Sequence, residues 1–168
     1  ASVKEAAYMC GFTESVFKRL VANGAAEEYD MELLRSVDDG ADEHINPDST
    51  VLSEEQQTVH DEIFSRITEK KAGVYLLHGV TGSGKTSVFE KLIHNTVNLG
   101  RRAMLLIPEI GLTPQVLKRF RALFGDRVAV IHSGLSLGQR LDEYKRIKRG
   151  DADIIIGTRS AVFAPADN

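Results

Sequence analysis

The chain has 168 residues, 42% hydrophobic and 27% charged, a soluble composition for one domain or for a small domain plus part of a larger one. No apolar run approaches the roughly 18–20 residues that cross a bilayer, and Ala1-Ser2-Val3-Lys4-Glu5 opens no signal peptide, so an integral membrane protein is excluded and a cytoplasmic chain is expected. The net charge of −3 divides unevenly: residues 1–70 hold 6 Lys+Arg against 16 Asp+Glu, and residues 71–168 hold 15 against 8, which suits a polyanion partner for the second part only.

In chain order, Val3, Ala6, Ala7 and Met9 form a short apolar face that Gly11 breaks. The single cysteine beside it, Cys10, makes neither an intrachain disulfide nor a zinc site. Thr13 is an N-cap for a helix with Val16, Phe17, Leu20 and Val21 at helical spacing, and Gly24 stops it. With an extended segment over 25–34, residues 1–35 read as a helix-turn-helix with a wing. The second helix offers DNA only Lys18 and Arg19, and Glu27, Glu28, Asp30 and Glu32 follow it, so a packing role is at least as well supported. Residues 36–50, rich in acids and poor in apolar side chains, form a linker.

From residue 51 the pattern alternates. Ser53 caps a helix to about Lys71, with Val59, Ile63 and Ile67 on one face. A strand is expected over 74–78, then a Gly-rich loop, then a helix turning Val88, Phe89, Leu92, Ile93 and Val97 inward before Gly100. Strands over 103–107, 128–131 and 154–156 follow, separated by a helix from Thr113-Pro114 to Gly125 and another marked by Leu141, Tyr144 and Ile147. Unalternating strands between amphipathic helices predict a parallel sheet covered on both faces.

Gly79-Val80-Thr81-Gly82-Ser83-Gly84-Lys85-Thr86 matches the phosphate-binding loop pattern in the strand–loop–helix setting that the chemistry needs. Glycines let backbone N–H groups approach phosphate oxygens, and the helix N-terminus adds partial positive charge. Lys85 is then suited to the β- and γ-phosphates and the Thr86 hydroxyl to Mg²⁺.

The blocks LHGVTGSGKT at 77–86, IPEIGLTPQ at 107–115, HSGLS at 132–136 and IGTRSAVFAP at 156–165 resemble the first motor lobe of superfamily-2 helicases, and within them the replication-restart helicases. The resemblance runs from Leu52 to Pro165 nearly without gaps. It implies an α/β fold, an incomplete RecA-like P-loop NTPase lobe, preceded by a small winged-helix module. It further implies that Gln56 hydrogen-bonds adenine and that Gly111, Thr113 and Gln115 follow the single-stranded DNA backbone. Gly157, Thr158 and Arg159 resemble the next DNA-contacting motif, with Arg159 alternatively pairing a carboxylate; His132-Ser133-Gly134 reads as loop shaping. ATP and Mg²⁺ are the implied cofactors, with Lys85 and Thr86 in the catalytic roles and zinc confined to a C-terminal part of the family. The implied partners are single-stranded and fork DNA, primosome and replication proteins, with 3′-to-5′ translocation. In the family a D-E-x-H strand follows the segment matching Ala164-Pro165, and this chain stops at Asn168 before it. A fragment that binds nucleotide, hydrolyses it poorly and self-associates through an exposed sheet edge is therefore expected.

Overall fold

The computed structural model describes Tyr8, Gly11 and residues 13–27 and 44–166. The chain divides into two compact units, Ala1–Leu33 and Leu34–Asn168. In the first, helix α1 spans Glu14–Ala22. It starts and stops where Thr13 and Gly24 predict, with Gly24 at φ +70° closing the last turn. Thr13, however, does not cap it with its side chain: the hydroxyl bonds Ser15 Oγ at 2.8 Å instead of a helix N–H. The expected helix over Val3–Met9 lies outside the described residues apart from Tyr8, and so does the wing beyond residue 27.

The second unit holds helices α2 (Glu54–Thr68), α3 (Lys85–Asn98), α4 (Pro114–Phe124) and α5 (Leu137–Arg149), and strands β1 (Ala103–Leu106), β2 (Val128–Ile131) and β3 (Ile154–Gly157). The strands run parallel in the order β1-β3-β2, with Ile154 level with both Ala103 and Val128. β2 and β3 are buried along their whole length, as unalternating apolar runs require. One face packs Ile93 and Val97 of α3 and Leu117, Phe120 and Leu123 of α4 against Val128, Val130, Ile154 and Ile156. The other packs Ile147 of α5 and Ala161 against Ala129, Ile131 and Ile155. Helices thus cover both faces, and the loops that follow the strands all emerge at one end, where open parallel sheets place ligands.

Local signals explain most boundaries. Ser53 and Gln56 form a reciprocal capping box on α2, and Ser136 and Gln139 form another on α5. Thr113 accepts from the Val116 N–H, with Pro114 at the first position of α4. The buried His60 joins α2 to α3: its Nδ1 meets Asp61 at 2.8 Å and its Nε2 meets the Asn95 amide at 3.0 Å. Residues 44–50, the end of the acidic stretch, lie against the lobe rather than apart from it. The Ile45 N–H donates to the Ala122 carbonyl, and Asp48, in the short 3₁₀ turn Pro47–Ser49, meets Lys91 and His94 of α3.

Two expectations fail. Residues 74–78 are not a strand, and Val74 and Leu76 are 101% and 90% exposed. A strand needs a neighbouring ladder, and among the described residues none pairs with this segment. Phe89 and Leu141 are also turned outward, so the apolar stripes of α3 and α5 are narrower than their hydrophobic residues suggest.

Candidate nucleotide and nucleic-acid sites

The Gly79–Thr86 loop leads directly into α3. Gly84 is the N-cap at φ +79°, a left-handed conformation that costs an ordinary residue about 1–2 kcal/mol. A Cβ there would also displace the Gln56 amide, the movable end of a flexible side chain, so the left-handed backbone is what calls for glycine. Lys85 folds back into the loop, donating from Nζ to the Gly79 carbonyl at 2.6 Å and the Val80 carbonyl at 2.7 Å. Thr86 is exposed beside it. A Cβ at Gly79 would sit 2.7 Å from Ser83 Oγ and would turn that hydroxyl away.

Gln56 is brought to this loop across 27 residues. Its Oε1 accepts from the Ser53 N–H at 2.9 Å, and its Nε2 donates to the Ser83 carbonyl at 2.9 Å. One amide therefore closes the α2 cap and braces the loop. Adjoining it is a cavity of about 330 Å³ whose lining includes Glu55, Gln56, Val59, Leu77, Val80 and Lys85, mixing apolar side chains with charged ones of both signs. No group of three or more His, Cys, Asp or Glu placed to hold a metal occurs among the described residues. The Thr86 hydroxyl, the magnesium ligand expected from the sequence, is exposed on the first turn of α3.

The second site lies at the C-terminal ends of the strands. A cleft of about 270 Å³ is lined by Glu109, Leu112, Pro114, Leu117, His132, Ser133 and Thr158, so the loops after β1, β2 and β3 meet in one place. Gln115 is exposed on the first turn of α4, where Pro114 has no N–H and Val116 and Leu117 donate theirs to Thr113. The Thr113 hydroxyl is already held by its own helix, accepting from Val116 N. Thr158 lines the cleft although only 3% exposed. Gly157 is buried; a Cβ would drive into the Ile131 carbonyl and sit 2.7 Å from the Ala161 methyl. Its glycine serves strand packing more than ligand access. His132 Nδ1 accepts from the Gly134 N–H at 3.1 Å, which fits a loop-shaping role.

Arg159 takes the alternative open to it in the sequence. Its guanidinium is 92% exposed and bonds Glu109 Oε1 from Nη2 at 3.2 Å. Glu109's carboxyl lies below its ordinary value of 4.5, through its own backbone N–H first and then Arg159. The sequence left the carboxylate partner of Arg159 unnamed, since one acidic residue in a loop such as Glu109 gives no signal of what it pairs with. It also left unnamed the bidentate pair of Glu90 on α3 with Arg119 on α4. A further cavity, about 520 Å³ and lined by Ile67, Lys70, Lys71, Ala72, Gly100 and Arg101, contains none of the motif residues.

The DEAD/DEAH box helicase family model matches residues 55–167, which include both the Gly79–Thr86 loop and the post-strand cleft. The chain belongs to that family. Its similarity to individual relatives points to replication restart proteins. "Replication restart protein PriA" of Bacillus subtilis (strain 168) is 44% identical over 117 residues, 70% of this chain and 14% of that protein. The protein of the same name from Synechocystis sp. is 53% identical over 93 residues, 55% of this chain and 11% of the relative. That of Haemophilus influenzae is 35% identical over 161 residues, 94% of this chain and 22% of the relative. The chain therefore spans only a small part of the curated relatives it matches.

Proposed function

We propose that this chain is the nucleotide-binding part of a motor lobe of an ATP-dependent replication-restart helicase moving 3′-to-5′ on single-stranded DNA. The observation that carries the reading is the loop Gly79–Thr86, closed over the Lys85 ammonium at the N-terminus of α3. Phosphate oxygens compete with the Gly79 and Val80 carbonyls for that ammonium, and the exchange replaces neutral acceptors with charged ones. The N–H groups of Thr81, Gly82, Ser83 and Gly84 then face the phosphates, Thr86 holds the metal, and Gln56 lies beside the base. Bound Mg²⁺ supplies neutralisation of phosphate charge.

DNA phosphates lie along the post-strand cleft, met by Gln115 on the first turn of α4, by Thr158 and by Arg159 once it leaves Glu109. Gly111 and Thr113 set the backbone of that segment. Partners beyond the strand, fork DNA and primosome proteins, are proposed with it on the resemblance to replication-restart helicases. The sequence contains no D-E-x-H motif, so the residues present bind nucleotide without activating the attacking water, and turnover stays low. Titration with a fluorescent ATP analogue, using Lys85→Ala as the blank, tests the reading. Saturable binding that the substitution weakens at least about tenfold supports it, and equal binding by both refutes it. Turnover of ATP with single-stranded DNA present is expected to match the same blank.

A further inference from the structure

Glu90 is a carboxylate only 2% exposed, on a helix whose other buried positions are apolar. Arg119 grips it with both arms, Nε to Oε1 and Nη2 to Oε2 at 2.8 Å, while the guanidinium side chain stays half exposed. Burying such a pair recovers little net stability, because desolvation of both ions opposes their attraction; an apolar pair of similar volume commonly does as well. What a bidentate pair does fix is direction and spacing, since the planar fork fits the carboxylate in one orientation.

Its position gives that spacing a use. Glu90 stands four residues after Thr86 and Arg119 four residues after Gln115, so each lies one helical turn behind a first-turn ligand position, on the same face. α3 and α4 both pack on the same side of the sheet. A displacement of the first turn of α3 reaches the first turn of α4 through one turn of helix, the ion pair and one further turn. We propose that Glu90 and Arg119 are a positioning pair that couples nucleotide binding at the start of α3 to single-stranded DNA binding at the start of α4. This rests on the function proposed above.

The test measures the affinity of a fluorescein-labelled oligothymidylate by anisotropy, with and without a non-hydrolysable ATP analogue and Mg²⁺. It compares the wild-type chain with Arg119→Lys, Arg119→Met and the double variant Glu90→Leu/Arg119→Leu. Wild type is expected to change DNA affinity by about fivefold or more on adding nucleotide, the lower end of ordinary coupling between sites. In Arg119→Met the ratio falls to within about twofold of unity, while nucleotide affinity alone stays within about threefold of wild type. Arg119→Lys, which keeps the charge but not the fork, retains at most part of the ratio. The double variant removes the unpaired buried charge and recovers the thermal midpoint, but not the coupling. Coupling retained in Arg119→Met or in the double variant overturns the proposal. Independent binding of both ligands to wild type overturns it as well, and leaves the nucleotide and DNA sites standing. A wild-type chain that binds no nucleotide overturns the functional reading itself, and this proposal falls with it.

Discussion

Arg159 Nη2 donates to Glu109 Oε1 at 3.2 Å, tying the 3₁₀ turn after β3 to the 3₁₀ turn after β1. Both groups are accessible to solvent, so the pair contributes little stability and its cost to break is small. Its weight is electrostatic: the carboxylate, which lines the cleft, offsets the Arg159 charge and repels phosphate. Glu109→Gln is expected to raise affinity for a short single-stranded oligonucleotide about two- to fivefold at low salt, with the gain shrinking as salt rises. Arg159→Ala is expected to weaken binding and to lower the salt slope by about 0.7, one phosphate contact. Anisotropy titrations at several salt concentrations decide; an unchanged slope in Arg159→Ala removes that residue from the interface.

Gln56 and Gly84 form a lock between α2 and the nucleotide loop. Gln56→Ala removes the return half of the capping box, the bond from the Ser53 N–H, together with the brace on the Ser83 carbonyl, and leaves the Ser53 hydroxyl cap in place. Gly84→Ala faces the left-handed backbone and the Gln56 amide together. Its nucleotide affinity is expected to fall at least about tenfold, the equivalent of 1.4 kcal/mol, with the loop unable to close. Gln56→Ala/Gly84→Ala relieves the collision and leaves the backbone strain, so it should recover only part of the loss. Fluorescent-nucleotide titration of the three variants separates the two causes.

How far the sequence carries these sites depends on the range of the interaction. Local chemistry was legible: Ser53 with Gln56 three residues on, Thr113 before Pro114, and Gly24 and Gly125 after the last apolar residue each mark a helix end within about a residue. The Gly79–Thr86 pattern was readable because it is contiguous, and the structure sets it, as expected, at the N-terminus of α3. Pairings across the fold were not. Nothing near Glu109 names Arg159, 50 residues away, and Glu90 reads as a solvated charge until α4 is packed over α3. The segment 74–78 shows the opposite failure: its apolar run has strand composition, but pairing depends on a partner that composition does not supply.

Asp48 docks residues 44–50 on α3, and its carboxyl is held below its ordinary value of 3.8, first by the Lys91 hydrogen bond and then by the His94 charge. A depressed carboxylate stabilises the fold above its unfolded-state value, and that contribution disappears as pH falls through the lower folded value. Asp48→Asn is therefore expected to lower the urea midpoint slightly at neutral pH and to make no difference well below pH 3.8. Urea unfolding of both proteins across the acid range measures it. A gap that widens on acidification contradicts the assignment.

The two edges of the sheet are treated differently. On β2 the Glu143 carboxylate, fully buried, accepts from the Val130 N–H at 2.9 Å, and Arg146 donates to the Val128 carbonyl, so side chains occupy the positions of a neighbouring strand. On β1 the Ala103 and Ile107 N–H groups face β3, and Met104 and Leu106 lie half exposed on a strand with no partner on its far side among the described residues. An apolar strand edge without such blocking pairs readily with another chain. Sedimentation velocity is expected to show concentration-dependent association of the wild-type chain. Met104→Lys, which adds a charge to the open edge, should shift it toward monomer without lowering its thermal midpoint by more than about 1 kcal/mol equivalent. Association that Met104→Lys leaves unchanged would place the contact elsewhere, with the exposed segment around Val74 and Leu76 the next to substitute.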